Sequence, residues 1–251
     1  MKKLAYLLVA ALAMAPAPGL AQSGGELLKA GDSLRDKNDN KAALEMYRKA
    51  VAADGNNLDA SARLAQALVD NGEDLDSKES EKFYLEAVDV AAKIIQKSPG
   101  MAEGHYLLAL ATGKLALFRG GKEKVKLSRA VEQAGKKALE LNPNHANAHL
   151  LMGVYYREIA NLNWALKAFA NTFFGGLPAG TNEDGLRELK KSAEFFNLSV
   201  RVHYELGKTY EVMGDKKSAM AEYKIAAELP VMDHMDAKYI AESKMRLRSL
   251  E

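Results

Sequence analysis

Residues 204–230 read YELGKTYEVMGDKKSAMAEYKIAAELP. Leu206-Gly207 is followed by Tyr210, then Gly214-Asp215, then Ala219, Tyr223 and Ala226, and Pro230 closes the stretch. Apolar residues return three and four positions apart on both sides of Gly214-Asp215, the spacing of one helical face. A Gly-Asp pair between two such stripes stops one helix and caps the next. The stretch therefore predicts a helical hairpin, with the small Gly207 where the two helices touch.

The same order recurs along the chain. LLKAGDSLRDKNDNKAALEMYRKAVAADGNN (27–57) carries Ala30-Gly31, Leu34, Ala43, Tyr47 and Ala50. NPNHANAHLLMGVYY (142–156) carries Met152-Gly153 and Tyr156, after Ala138 and Pro143 close the preceding pair. Weaker copies hold Leu64-Ala65 and Leu68, then Ala87, Ala91 and Pro99, and Leu108-Ala109. A period of about 34 residues with small residues at helix contacts is the tetratricopeptide pattern. Five units follow, at 24–57, 58–101, 102–145, 146–199 and 200–233. Units two and three are expected to carry about ten extra residues between their helices, and unit four about twenty. A charged amphipathic segment, 234–250, supplies the polar outer face a terminal unit needs. The expected fold is all-α: a right-handed α-solenoid of about five such hairpins, with inserted helices and a C-terminal capping helix. Gly31, Ala65, Ala109, Gly153 and Gly207 let paired helices approach, and Tyr47 and Tyr223 are expected to fill the gap toward the next pair.

The N-terminus reads differently. MKKLAYLLVAALAMAPAPGLAQS has Lys2 and Lys3, an apolar run from Leu4 to Ala15, then Gly19-Leu20-Ala21. Those are the three regions of a secretory signal peptide, expected at 1–21, with a single domain over 22–251 and a periplasmic or secreted location. Removing Lys2 and Lys3 takes the formal charge from +2 to 0, so no global attraction to nucleic acid or membrane follows. With no cysteine, disulfides and thiolate-bound zinc are excluded. No later run is apolar enough to span a bilayer.

Three further stretches are distinctive: Gly120-Gly121-Lys122-Glu123-Lys124-Val125, Asn161-Leu162-Asn163-Trp164 and Phe174-Gly175-Gly176-Leu177-Pro178. With them, residues 101–250 resemble the regulator of microtubule dynamics family. That resemblance implies a tetratricopeptide-type helical domain with no known catalysis, whose eukaryotic members are linked to microtubules and organelle contacts. The fold and the binding character carry over, not the partner.

Catalytic motifs are absent. In FRGGKEK, Ala116 and Glu123 break the phosphate-loop pattern, and there is no G-x-S-x-G elbow. DNGEDLDSKESEK (70–82) reads as a solvated acidic loop. His145 and His149 stand at metal-sharing spacing, but HANAH lacks the glutamate of a zinc protease. His105, His149 and His203 share the fourth position of their units, so they read as packing residues repeated by the repeat. No cofactor, metal or catalytic residue is expected. Lysines and arginines from Arg119 to Lys137 read as a solvated face, the alternative being contact with an anionic partner or lipid headgroups. Without interleaved aromatics, nucleic acid is not an expected partner. Residues 161–174 place Leu162, Ala165, Leu166, Phe169, Ala170 and Phe173 on one face of an extra helix, capped by Asn161 or Asn163 and stopped by Gly175-Gly176.

In stacked hairpins the first helices line the concave side. The groove positions of units three to five predict a binding surface of Tyr106, Leu110, Lys114, Asn147, Leu150, Val154, Arg157, Arg201, Tyr204 and Lys208. An apolar floor with basic residues suits a protein or peptide with apolar anchors and an acidic end, which arginine holds bidentately. The alternative is an apolar anionic ligand such as a phospholipid under the Trp164–Phe174 segment. Whether that segment fills the groove decides how open the surface is.

Overall fold

The computed structural model describes residues 23–75 and 77–251. The leader expected at 1–21 lies outside them. Among the described residues there are twelve helices and no strand: α1 (Gly24–Arg35), α2 (Asn40–Ala53), α3 (Leu58–Asp74), α4 (Glu79–Lys97), α5 (Ala102–Arg119), α6 (Gly121–Leu141), α7 (Ala146–Ala160), α8 (Trp164–Phe174), α9 (Asn182–Phe195), α10 (Val200–Val212), α11 (Lys216–Glu228) and α12 (Asp236–Leu250). They pack as hairpins α1/α2, α3/α4, α5/α6, α7/α9 and α10/α11. Each hairpin stacks on the next, and α3, α5, α7 and α10 touch in turn along one side.

Local chemistry sets the helix ends. Ser23 and Glu26 form a capping box on α1, as Thr181 and Asp184 do on α9. Asp39, Asn57, Ser199 and Asp215 each accept a backbone N–H at the first turn of the helix that follows.

The long units depart from expectation in one respect. In units two and three the extra residues do not make loops but lengthen both helices, while in unit four they include α8. α3 to α6 have 17, 19, 18 and 21 residues, against 13 each in α10 and α11. Gly120 alone joins α5 to α6, at φ +60, a backbone state that glycine adopts freely. Likewise the acidic stretch at 70–82 is not a solvated loop. It closes α3 and opens α4, and Asp70 and Asn71 are buried. Asn71 Nδ2 donates to the carbonyls of Asn40, at 2.9 Å, and Ala67, at 2.8 Å. The first of these bonds docks the end of α3 on the hairpin before it.

The small residues lie where the repeat requires them, and the tyrosines lie against them. Tyr47 and Tyr223, both fully buried, pack on Gly31 and Gly207 of their own hairpins and share core clusters with Leu64 and Leu68 of the next hairpin and with Tyr239 of α12, respectively. The reason is local: a second-helix tyrosine meets its own first helix where that helix has no Cβ. Tyr47 then donates to Asp32 at 2.8 Å and Tyr223 to Glu211 at 2.7 Å. A continuous apolar core runs through the first three hairpins, from Leu44 and Tyr47 through Leu68 and Ile94 to Leu107 and Leu115. Smaller clusters surround α8 and α12.

α8 forms where expected. Asn163 caps it, accepting from Leu166 N at 3.0 Å, while Asn161 ends α7. Gly175 ends α8 in the left-handed region, and Gly176 N bonds Ala170 O at 3.0 Å. The helix packs on α6, a second helix of its hairpin, and so lies outside the concave side. Only its Ala170 is buried, and Trp164 is 82% exposed.

Candidate functional site

The first helices enclose a concave channel of about 930 Å³. Its walls run from Arg35 and Asn40 through Asp70, Glu103 and Asn147 to Arg201. The loop at Phe195–Ser199 and the α11–α12 connector at Met232–Asp236 complete the wall. No α8 residue lines it. The connector, rather than the inserted helix, spans the groove: His234 reaches α3 and its Nδ1 lies 2.7 Å from Asp74 Oδ1.

A narrower apolar slot of about 110 Å³ lies between α5, α6 and α7, with Tyr106, Asn147, Leu150 and Arg201 shared by both spaces. Leu110, Val131, Leu151, Val154 and Ile159 form its walls, and Lys114 stands among them. Lys114 Nζ pairs with Glu73. Arg201 has a buried Nε with no hydrogen-bond partner among the described residues. Its guanidinium carbon lies 6.0 Å from the centre of the Tyr239 ring, its one aromatic neighbour at that range among the described residues.

Of the ten groove residues read from the sequence, Tyr106, Leu110, Lys114, Asn147, Leu150, Val154 and Arg201 meet around this slot. Arg157, Tyr204 and Lys208 do not line either space. Arg157 is buried, pairs with Glu205 at 2.6 Å, and donates to Glu205 O at 3.1 Å and Thr209 Oγ1 at 3.3 Å. Burial alone would raise the Glu205 carboxyl; Arg157, Lys208 and Arg201 around it hold it below the usual range. Arg157 thus ties α7 to α10. Tyr204 lies under α12, its ring 4.9 Å from that of Tyr239, and it donates to Glu242. Lys208 Nζ sits 5.3 Å over the Tyr204 ring. The capping helix covers the inner face of unit five, which spacing alone does not reveal.

Four of the five histidines are structural fittings. His105, His149 and His203 each place Nε2 within 3.0 Å of a carbonyl six residues earlier, those of Pro99, Pro143 and Asn197. His149 and His203 also place Nδ1 against second-helix glutamates, Glu188 at 2.6 Å and Glu222 at 2.7 Å. Burial would lower the His203 pKa; the bonds to Glu222 and the Asn197 carbonyl outweigh it and hold the ring above its ordinary value. His145 caps α7 and faces Glu103 at 3.0 Å, so it shares no ion with His149.

The sequence profile of Regulator of microtubule dynamics protein 1-3 matches residues 27–251. The chain belongs to the regulator of microtubule dynamics family. It is 26% identical to mouse regulator of microtubule dynamics protein 3 over 81% of this chain and 44% of that protein. It is 30% identical to mouse protein 1 over 62% of this chain and 52% of that protein. The chain therefore spans about half the length of these relatives. A tetratricopeptide protein of Thermus thermophilus superposes with a TM-score of 0.66 at 19% identity, covering 91% of this chain and 98% of its own. That likeness shows the fold alone. No helix among the described residues is long and apolar enough to cross a membrane.

In this family member the distinctive stretches build the outer face: Gly120 makes the α5–α6 turn, Asn163 caps α8, and Gly175-Gly176 ends it. Arg129 of α6 donates to Phe174 O at 3.1 Å and so clasps the end of α8. Asp70, Glu73 and His234 also line the channel. Asp70 and Glu73 belong to the acidic stretch 70–82, but their approach to His234 leaves no sequence signal, because Asp70 and His234 lie far apart along the chain and no local spacing links them.

Proposed function

We propose that this protein is a non-catalytic scaffold that binds an extended protein or peptide segment in its concave channel. An acidic end, such as a C-terminal carboxylate, meets Arg201, and an apolar side chain enters the adjoining slot. Arg201 carries the reading. It sits where the channel joins the slot, and its Nε is buried without a hydrogen-bond partner among the described residues. An arginine so placed is complementary to a carboxylate, which it grips bidentately, and a buried polar group without a partner costs stability. Asn147, exposed at the same junction, offers an amide to a peptide backbone. The slot's size sets the anchor: a cavity of about 150 Å³ takes benzene, so about 110 Å³ takes one apolar side chain.

A second reading is a carrier of an apolar anionic ligand such as a phospholipid. The apolar slot walls beside Lys114 and Arg201 favour it. The slot's volume suits one side chain better than two acyl chains, so the peptide reading leads. Native mass spectrometry of the purified protein separates them, since a carrier retains a lipid.

Export through a cleaved leader at 1–21 is part of the proposal, resting on the sequence of that segment. An exported chain meets no microtubule, so the relatives' named role is not carried over.

The test is fluorescence polarisation with a library of labelled peptides ending in an apolar residue. Free-carboxylate peptides should bind, their amidated forms should bind at least about tenfold more weakly, and Arg201→Gln should remove that difference. Equal binding of both forms would contradict the reading.

A further inference from the structure

We propose that Asp70 and Glu73 of α3 and His234 of the α11–α12 connector form a binding site for one divalent first-row transition cation, such as zinc. One ligand atom from each lies within 4.8 Å of the others. The two carboxylates are three residues apart and share one helical face. The imidazole arrives from the far end of the solenoid.

Three observations support a ligand here rather than a chance gathering of acids. First, the His234 side chain is only 9% exposed, and among the described residues it is Nδ1, not Nε2, that makes its hydrogen bond. Nε2 points at the cluster, 3.9 Å from Asp70 Oδ1 and 3.7 Å from Asp233 Oδ1. Second, its other nitrogen is already held, with Nδ1 2.7 Å from Asp74 Oδ1. A carboxylate on the distal nitrogen is how metal-bound histidines are oriented, leaving Nε2 as the ligating atom. Third, Asp236 is buried and accepts from Met232 N at 2.9 Å and Asp233 N at 2.8 Å, which folds the connector so that His234 is presented inward.

The carboxylates retain capacity. Gln66 donates to Asp70 Oδ1 at 2.7 Å, leaving Oδ2, and Lys114 takes Glu73 Oε1, leaving Oε2. Ligands about 2.0–2.1 Å from tetrahedral zinc stand roughly 3.3 Å apart. The ligand atoms stand up to 4.8 Å apart, so binding requires the Glu73 and Asp70 side chains to rotate toward the ion. One nitrogen and two oxygens, without sulfur, suit zinc, cobalt or manganese; the imidazole disfavours calcium and magnesium. All three residues line the channel, so a fourth position stays open to water or to a bound partner. An ion here rivets the connector to the second hairpin and fixes the wall of the channel. The site does not depend on what the channel binds.

The test uses the mature chain, stripped with chelator and titrated calorimetrically with Zn²⁺ alone, and with Co²⁺ followed by visible absorption. The expected result is one ion per chain, a rise in Tm, and cobalt bands of nitrogen/oxygen ligation. Asp70→Asn and His234→Ala should each weaken binding at least about 100-fold, and Asp74→Asn about 10- to 100-fold, the usual loss for an orienting partner. A histidine-resolved NMR titration of the unmutated chain guards against misfolded variants. Of the five histidines, only His234 should shift at Nε2 on adding one equivalent of Zn²⁺. No stoichiometric ion, an unchanged affinity in folded His234→Ala, or equal shifts at several histidines would overturn the site.

Discussion

Gly207 lies flat against the ring of Tyr223: a Cβ at Gly207 would stand 2.6 Å from both Cδ1 and Cε1 of that ring. The tyrosine is fully buried, so it has nowhere to move. Gly207→Leu should lose about 1–3 kcal/mol or more through overpacking, lowering Tm by several degrees at about 2–4 °C per kcal/mol for a chain of this size. Gly25→Ala, where the added carbon meets nothing within 4 Å, is the control and should gain up to about 1 kcal/mol of helix propensity. Thermal melts of the two variants check both signs. An unchanged melt for Gly207→Leu would contradict the packing.

The Arg157–Glu205 pair joins α7 to α10 inside the stack, at 2.6 Å with both side chains nearly sealed from solvent. Removing one partner leaves the other charge buried. Arg157→Met should therefore cost about 3–5 kcal/mol, and the double change with Glu205→Gln should recover part of it. Denaturant unfolding of the two single variants and the double variant measures the coupling.

His203 makes part of the stability depend on pH. Its folded pKa is raised, because the bonds to Glu222 and the Asn197 carbonyl outweigh burial. The folded state thus binds the proton more tightly than the unfolded chain, whose histidines titrate near pH 6.5. The contribution is fully present below about pH 6.5 and fades as pH rises through the higher folded value. His203→Gln should be most destabilising, relative to the unmutated chain, near pH 5–6, and the difference should shrink toward pH 8–9. Urea melts across that range read it; a gap that widens with pH would contradict the assignment.

Trp164, the single tryptophan, is 82% exposed at the start of α8. Trp164→Ser should change stability by less than about 0.5 kcal/mol. Its fluorescence should be quenched by acrylamide nearly as freely as that of an unstructured peptide. Quenching to a small fraction of that extent would place the residue in a packed interface instead.

The hairpins were legible because the repeat writes the same contact many times: Gly31, Gly153 and Gly207 each mark a close approach. The α8 helix was legible from its own cap and stop, Asn163 and Gly175. Three things were not. The length of α3 to α6 was hidden because a helix continued past its usual end looks like an insertion when counted against the repeat. Arg157 and Arg201 occupy comparable groove positions, yet Glu205 of the next hairpin claims the first and leaves the second free. The covering of Tyr204 by α12 and the reach of His234 to α3 arise from the closing of the whole stack, which leaves no periodic trace.

Docking of a partner in the concave channel is read by site-specific photo-crosslinking. A photoreactive residue at Asn147, which is exposed in the channel, is compared with one at Lys136, which is exposed on α6. Covalent capture of a bound free-carboxylate peptide is expected from position 147 and none from position 136. Equal capture from both positions, or capture from position 136 alone, would contradict it.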